Sequence, residues 1–218
     1  MENKFELFRL FSTPVLKGKL NIDNDNLLKI KNIFEKEKYV MNKTHSAERS
    51  KNIHILNKTK LKFLKNKIMN AFNIYKNDIF KYENTKMTMT TSWIARVKSN
   101  CVSDSHNHAN SLFSGVYYIN TNKNSGSITF NSFPTHKQIQ PAPEDPTQFT
   151  LDNSGQYTFY PENDMILFFP SYVFHKIETN ASEENRYSVA FNFMPYGRCG
   201  RGDSTIFLNN NFDIKPIE

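Results

Sequence analysis

The sequence predicts a mainly β fold of the antiparallel sandwich or jelly-roll type, with α-helices ahead of it. Residues before position 86 carry apolar side chains at helical spacing, whereas later residues form short runs rich in Thr, Val, Ile, Tyr and Phe. Asn, Ser, Gly and Pro turns separate these runs, and no helical segment lies between them, as in antiparallel β structures. We therefore expect a single domain over 1–218, with a helical support layer at 1–85 and a β core at 86–218.

The N-terminal part predicts two helices. The cluster Asp23-Asn24-Asp25 is a suitable N-cap, and the residues after it place apolar side chains on one helical face. A longer stripe predicts one amphipathic helix over about residues 58–82, and both helices should pack on the sheet. The first stripe consists of Leu27, Ile30, Ile33 and Phe34, and the second of Leu61, Leu64, Ile68, Phe72, Tyr75 and Ile79.

The C-terminal part predicts short strands, one of which contains Trp93 as an expected core residue. A stretch with four prolines, 134–155, is too long for a plain hairpin turn, and we expect it to gate the cavity or contact the substrate, the alternative being a passive surface loop. The candidate strands are 87–97, 112–120, 126–132, 156–160, 164–169, 174–179 and 186–194, with a weaker one near 204–208.

Composition argues against several classes of partner. The chain holds no apolar run long enough to span a membrane, and its N-terminus lacks a signal-peptide core, so we expect no membrane partner and a cytoplasmic protein. Cys101 and Cys199 are too few for a disulfide framework and are expected to be free thiols. The net charge of +7 comes from lysines scattered mostly through 29–86, so nucleic acid is not an expected partner.

Three histidines suggest a metal site. His106 and His108 are two residues apart in a polar stretch before a strand, and His175 lies on a distant predicted strand. Two imidazoles at this spacing, with a third from elsewhere, can hold a metal on one face and leave its other coordination positions open. An HxH pair alone is weak evidence for a metal site, and the segments that follow it in the sequence strengthen this interpretation.

The strand 186–194 suggests a binding site for an organic acid. Arg186 and Ser188 are two residues apart on a strand, so they point the same way and can both donate to one carboxylate. The same alternation predicts that one face of the strand packs on the helices while the other lines a cavity. The expected cavity face carries Arg186, Ser188, Ala190 and Asn192, and the expected packed face carries Tyr187, Val189, Phe191 and Phe193.

Taken in order, these segments resemble the Fe(II)/2-oxoglutarate-dependent oxygenases. In particular, they resemble a 2OG-Fe(II) oxygenase family of marine bacteria and their phages, which shows an HxH, a Ser-Gly-Val-Tyr-Tyr strand, a Phe-Pro-Ser…His segment and an Arg-x-Ser strand. The run from His106 to Phe193 is more distantly similar to prolyl hydroxylases, and the resemblance implies a double-stranded β-helix. The matching segments are Leu10 to Pro14, His106 to His108, Ser114 to Tyr118, Phe169 to His175, and Arg186 to Ser188.

The resemblance also implies a role for each matching residue on the cosubstrate side. Arg186 corresponds to the arginine that binds the C5 carboxylate of 2-oxoglutarate, and Ser188 to a second donor. Tyr118 corresponds to a strand tyrosine whose hydroxyl often joins this carboxylate site.

On the metal side, the resemblance makes His106 and His175 catalytic iron ligands. The sequence departs from the usual pattern at the third ligand, because His108 stands where an acidic residue is usual. Either His108 completes a three-histidine catalytic site, which we favour, or a carboxylate comes from elsewhere, with Asp104 the nearest candidate.

The implied activity is hydroxylation of an unactivated C–H bond with Fe(II), 2-oxoglutarate and O₂, supported by ascorbate. The expected substrate is a small molecule or a peptide, and the prolyl hydroxylase likeness makes a peptidyl proline one candidate. One alternative is a three-histidine dioxygenase of cupin type that uses no 2-oxoglutarate, which His108 favours and Arg186 opposes. Another is a jelly-roll binding module without enzymatic activity, which would bind neither iron nor an oxo acid.

Overall fold

The computed structural model describes residues 11–41, 46–132 and 145–209, together with Glu6. Among these residues, two α-helices lie in the N-terminal part, α1 (Asn24–Glu35) and α2 (Lys62–Ile74). The strands are β1 (Leu16–Lys19), β2 (Tyr39–Met41), β3 (Glu48–Ser50), β4 (Lys86–Val97), β5 (Ser103–His106), β6 (Phe113–Asn120), β7 (Ile128–Asn131), β8 (Gln156–Phe159), β9 (Met165–Pro170), β10 (Phe174–Ile177), β11 (Arg186–Cys199) and β12 (Ile206–Leu208).

The strands form two antiparallel sheets. The larger sheet has the order β1-β9-β6-β11-β4-β3-β2, with β12 paired to β11, and the smaller has the order β5-β10-β7-β8. Apolar side chains from β6 and β9 of the larger sheet pack together with those of β7 from the smaller one, which places the two sheets face to face. The predicted double-stranded β-helix is therefore confirmed.

All the predicted strands are present, but the sequence did not reveal four others. β1, β2, β3 and β5 are only three or four residues long and show no clear apolar alternation. β1, β2 and β5 lie at sheet edges and β3 pairs between β2 and β4, so pairing with neighbouring strands, rather than their own sequence pattern, makes these segments strands. The N-terminal part is therefore not purely helical, since three of its segments extend the larger sheet.

Both predicted helices are found, the second with irregular ends. α1 begins after Asp23, whose carboxylate accepts from the backbone N–H of Asn26 at 2.8 Å, as the predicted N-cap requires. The expected helix over 58–82 is regular only within α2, because a 3₁₀ turn precedes it and a π-helical turn, Tyr75–Ile79, follows it. In that turn the consecutive residues Tyr75 and Lys76 are both buried, and Tyr75 donates to the Pro14 carbonyl at 2.8 Å.

The helices cover one face of the larger sheet, as the alternation in β11 predicted. Tyr187, Val189, Phe191 and Phe193 belong to the core cluster that also contains the buried face of both helices. Phe193 stacks on Phe72 of α2 with ring centroids 3.7 Å apart and planes 1° apart. This packing holds the other face of β11 toward the second sheet.

Three further predictions concern the proline-rich loop, the cysteines and the membrane. Of the predicted loop 134–155, the structure describes only residues 145–155, so the expected contact with substrate lies outside the described residues. Cys101 and Cys199 are free thiols, as expected. Among the described residues, no helix combines the length and the apolar character needed to cross a membrane.

Asp164 ties the N-terminal segment to the larger sheet. Its carboxylate accepts from the backbone N–H groups of Asn21 at 2.8 Å and Ile22 at 3.3 Å, and from the Tyr117 hydroxyl at 2.7 Å. The residue is 8% exposed and adopts a positive φ of 67°, which Asp tolerates better than most residues. The loss of its carboxylate would leave buried donors without an acceptor.

We expect Asp164→Ala to lower the free energy of unfolding by about 3 kcal/mol, because it removes charge-assisted hydrogen bonds and places Ala at a positive φ. Asp164→Asn keeps an acceptor oxygen and a tolerant backbone, so its loss should be smaller. Urea unfolding followed by circular dichroism measures both. The exposed Asp203→Ala is the control, and an equal effect of Asp164→Ala and Asp203→Ala would show that the anchor contributes nothing.

Candidate metal centre and carboxylate site

A cavity of about 320 Å³ lies between the two sheets. Its wall includes the predicted polar face of β11 and several residues of the smaller sheet. The predicted site residues that line it are His106, His108, His175, Arg186 and Ser188.

The fold brings the three histidines together. His106 ends β5 and pairs in register with His175 on β10, so neighbouring strands present these two rings. His108 lies just beyond β5, where its backbone N–H donates to the Ser171 carbonyl at 3.0 Å. One ligand atom from each histidine lies within 4.8 Å of the other two, whereas the exposed Asp104 is not part of this group.

Hydrogen bonds select the nitrogen that two of these rings offer to a metal. Nδ1 of His106 lies 2.7 Å from the carbonyl oxygen of Asp104, and Nδ1 of His175 lies 3.1 Å from that of Val173. Because a carbonyl oxygen can only accept, Nδ1 carries the proton in both rings. Nε2 therefore keeps its lone pair for coordination.

A polar network holds His108 in the same way. Its Nδ1 donates to the Asn192 amide oxygen at 2.7 Å, and Asn192 Nδ2 donates to Thr91 Oγ1 at 3.0 Å, which fixes the amide orientation. Ser114 Oγ donates to the same amide oxygen at 2.8 Å and lies 2.7 Å from Ser171 Oγ. His108 thus also presents Nε2, although an acidic residue is usual at its position. Apart from its place on the cavity face of β11, no sequence pattern indicated this role of Asn192.

Burial favours the neutral form of two of the three imidazoles. Desolvation lowers the pKa of His108 to about 4, against the opposing effect of its hydrogen bond to Asn192. Desolvation, and then the neighbouring His106 and His108, lower the pKa of His175 to about 3. Since a metal binds neutral imidazole, both rings are in the ligating form well below pH 7.

We expect the metal-free protein to lose stability as the pH falls from about 6.5 toward 4. The two imidazoles titrate near 6.5 in the unfolded chain but stay neutral to about 4 and about 3 when folded. The unfolded state therefore binds more protons in this window, and each histidine contributes a slope of up to about 1.4 kcal/mol per pH unit. Urea unfolding of chelator-treated protein from pH 7 to pH 5 measures the slope. The His108→Gln, His175→Gln double variant should flatten it, and an unchanged slope would refute the assignment.

Arg186 presents a buried cation to the cavity. It is 2% exposed, its Nη1 donates to the Gly126 carbonyl at 3.1 Å, and its buried Nε has no hydrogen-bond partner among the residues that the structure describes. Desolvation lowers the pKa of the guanidinium, and within the described part of the chain no carboxylate forms an ion pair with it. A buried charge without a counter-ion is costly, so this arginine favours the binding of an anion.

Ser188 and Tyr118 lie beside this arginine, as the resemblance implied. They face each other in register across β11 and β6, and Arg186 Cζ lies 5.6 Å from the centroid of the Tyr118 ring. Tyr118 is fully buried without itself lining the cavity, and within the described part of the chain its hydroxyl has no hydrogen-bond partner. Burial raises the pKa of Tyr118 to about 12, so the hydroxyl is a neutral donor near pH 7.

For two residues of the cavity wall, the prediction from the sequence was wrong or absent. Trp93, the expected core residue, is only half-buried and lines the cavity, with its ring centroid 5.5 Å from that of His108. The expectation was wrong because both faces of β4 carry apolar residues, so alternation cannot tell the core face from the cavity face. Arg49 on β3 also lines the cavity, and nothing in the sequence around it indicated a strand.

Residues 91–192 match the model of a family described as "Putative 2OG-Fe(II) oxygenase". This segment contains the three histidines, Arg186, Ser188 and Tyr118. Among curated proteins, none matches the sequence.

The chain is also similar in fold to solved prolyl hydroxylases and to HygX, which was solved with 2-oxoglutarate bound. A Pseudomonas putida prolyl-4-hydroxylase has a TM-score of 0.60 at 11% identity, with 86% of this chain and 96% of that one covered. A Trichoplax adhaerens prolyl hydroxylase, in complex with a hypoxia inducible factor peptide fragment, gives 0.59 at 12%, with 83% of both chains covered. HygX from Streptomyces hygroscopicus, with nickel, 2-oxoglutarate and hygromycin B bound, gives 0.58 at 11%, covering 84% and 83%. Residues 91–192 therefore match a 2OG-Fe(II) oxygenase family model, and the chain shares the fold of these solved structures.

Proposed function

We propose that the protein hydroxylates a C–H bond of its substrate, with Fe(II) bound by His106, His108 and His175. The support for these ligands is that hydrogen bonds hold the Nδ1 atom of each ring, so three Nε2 atoms are left to coordinate. Three ligands on one face of the metal leave open positions for a chelating oxo acid and for O₂.

The observation that carries the proposal is the buried guanidinium of Arg186, which forms no ion pair within the described residues and shares the cavity with the histidines. Its planar fork fits the C5 carboxylate of 2-oxoglutarate, and the unpartnered Tyr118 hydroxyl and Ser188 are the further donors. Bound 2-oxoglutarate would supply the missing counter-ion and so satisfy groups that are costly without it.

When bound, iron and 2-oxoglutarate would supply the oxidising chemistry, which consumes O₂ and 2-oxoglutarate and yields succinate, CO₂ and the hydroxylated substrate. The residues of the chain orient these groups and shield them from water. Asn192 and Ser114 keep the His108 ring in its ligating orientation. Phe169 packs edge-on to His175, with ring centroids 4.9 Å apart, and protects the metal side of the cavity from solvent.

A turnover assay tests the proposal. Purified protein is supplied with Fe(II), ascorbate, 2-oxoglutarate and O₂, and succinate is followed with and without candidate substrates. We expect succinate only when both iron and 2-oxoglutarate are present, and 2-oxoglutarate should raise the melting temperature of Zn(II)-loaded protein. Iron binding without succinate or this thermal shift would favour a cupin-type three-histidine dioxygenase. Failure to bind either would favour a jelly-roll binding module.

We also propose that the substrate is a small molecule or a peptide. The support is that this fold holds hygromycin B in HygX and a peptide fragment in the Trichoplax adhaerens enzyme. A peptidyl proline is one candidate, from the likeness to prolyl hydroxylases. We place the protein in the cytoplasm, in line with its free thiols, as a single domain whose helices share a core with the larger sheet.

A further inference from the structure

We propose that the substrate is a small organic anion, whose carboxylate or phosphate group binds Arg49 while its carbon skeleton lies against Trp93. The inference rests on the function proposed above and names the substrate class for the same cavity. Arg49 lies outside the segment 91–192 that matches the oxygenase family, so it is a feature of this chain's own N-terminal part.

Strand register places the Arg49 side chain on the cavity wall. Arg49 pairs with Ala95 on β4, and paired residues of neighbouring strands point to the same face of a sheet. Ala95 lines the cavity, and it pairs in turn with Ser188 on β11, which lines it too. The alanine between them carries only a methyl group, so the space in front of Arg49 stays open toward the centre of the cavity.

The charge of Arg49 is available to a ligand. Its guanidinium is half-buried and donates to the Ser50 carbonyl at 3.3 Å, and within the described residues no carboxylate forms an ion pair with it. The neighbouring carboxylate of Glu48 is already bound by Arg96 Nε at 2.6 Å and Lys98 Nζ at 2.8 Å. An anion in the cavity is therefore the partner that this guanidinium lacks.

Trp93 offers the apolar surface next to this cation. It is two residues before Ala95 on β4, so it lies on the same face, and its ring centroid is 5.5 Å from that of the proposed ligand His108. Ala47, Ala109 and Ala190 also line the cavity and contribute only methyl groups to its wall. A substrate held by Arg49 and Trp93 would have its carbon atoms close to the metal.

Arg49 and Arg186 are suited to two different anions. Arg186 is buried at the start of β11, whereas Arg49 is half-buried on β3. The register Arg49, Ala95, Ser188 puts two strand spacings, roughly 10 Å, between the backbones of Arg49 and Ser188. Arg186 is a further two residues from Ser188 along β11, so we assign 2-oxoglutarate to Arg186 and the substrate anion to Arg49.

Fluorescence of Trp93, the single tryptophan of the chain, tests the proposal directly. Zn(II)-loaded protein saturated with 2-oxoglutarate is titrated with saturated carboxylates from propionate to cyclohexylacetate, and with their amides. A second series compares cyclohexyl phosphate with cyclohexanol. We expect at least one anion to bind about tenfold or more tightly than its neutral counterpart, the scale of a charge-assisted hydrogen bond. Which series shows this preference distinguishes a carboxylate from a phosphate substrate.

Arg49→Gln should remove the preference for anions, Arg49→Lys should retain part of it, and the exposed Lys51→Gln, which removes the same charge nearby, should leave it intact. Thermal melts confirm that each variant folds. The proposal is overturned if no anion binds, if acids and amides bind alike, or if Arg49→Gln keeps the preference. Calorimetry of 2-oxoglutarate separates the two proposals. A loss of its binding in Arg49→Gln would assign Arg49 to the cosubstrate, whereas no binding to wild type would refute the proposed function alone.

Discussion

His108→Ala should weaken Fe(II) binding by at least about 100-fold and abolish succinate formation. Loss of a residue that only supports a metal ligand costs about 10- to 100-fold in affinity, and loss of a ligand should cost more. The fold should survive, because the side chain borders a cavity rather than the core. Anaerobic Fe(II) titration measures the affinity, and circular dichroism measures the fold.

Two further variants make this result specific. His54→Ala removes a histidine that does not line the cavity and should leave iron binding unchanged. His108→Asp restores the acidic residue usual at this position and should recover part of the iron affinity, which a purely structural role of His108 would not allow. If His108→Ala binds iron like wild type, the third ligand comes from elsewhere and the three-histidine site is wrong.

Arg186→Lys should weaken 2-oxoglutarate binding by about 1–3 kcal/mol, or roughly 5- to 150-fold. Lysine keeps the charge but loses the planar fork that donates two parallel hydrogen bonds. Tyr118→Phe and Ser188→Ala remove one neutral donor each and should cost about 0.5–1.5 kcal/mol. Calorimetric titration of Zn(II)-loaded protein with 2-oxoglutarate measures all three, and unchanged binding in Arg186→Lys would remove the main support for cosubstrate use.

Arg186→Met separates the binding role of this arginine from a structural one. Because the wild-type guanidinium is buried with no counter-ion among the described residues, its replacement by an apolar side chain should leave the metal-free protein at least as stable as wild type. The same variant should lose the rise in melting temperature that 2-oxoglutarate gives. A strongly destabilised Arg186→Met protein would instead indicate that the arginine holds the fold together.

The parts of the fold that the sequence predicted are those with strong local patterns. The alternation in β11 identified both of its faces, and the stripe in α2 identified the helix that packs on one of them. β1, β2, β3 and β5 were missed because pairing with existing strands creates them, and three or four residues carry too little periodicity. The π-helical turn after α2 was missed for a similar reason, since tertiary contacts such as that of Tyr75 with Pro14 accompany it.

In the candidate site too, some residues could be predicted from the sequence and others could not. The order of His106, His108, His175 and Arg186 could be recognised along the chain, and the structure brings all four to one cavity. Residues whose place at the site depends on packing or on strand register could not be identified from the sequence. Trp93 looked like any core aromatic residue, and Arg49 could not be placed until β3 was seen to pair with β4. Local sequence therefore identifies the metal-binding and carboxylate-binding residues of the site better than the other residues that line its cavity.

The pairing of His106 with His175 links metal binding to the mechanics of the smaller sheet. β5 is four residues long, lies at the edge of that sheet and pairs irregularly with β10. An ion bound by both histidines would fasten this short edge strand to its neighbour, so local opening would have to release the metal as well. We expect hydrogen exchange in β5 to slow when the protein binds metal. In a cell, iron supply would then influence how readily proteases cleave the chain at this edge strand.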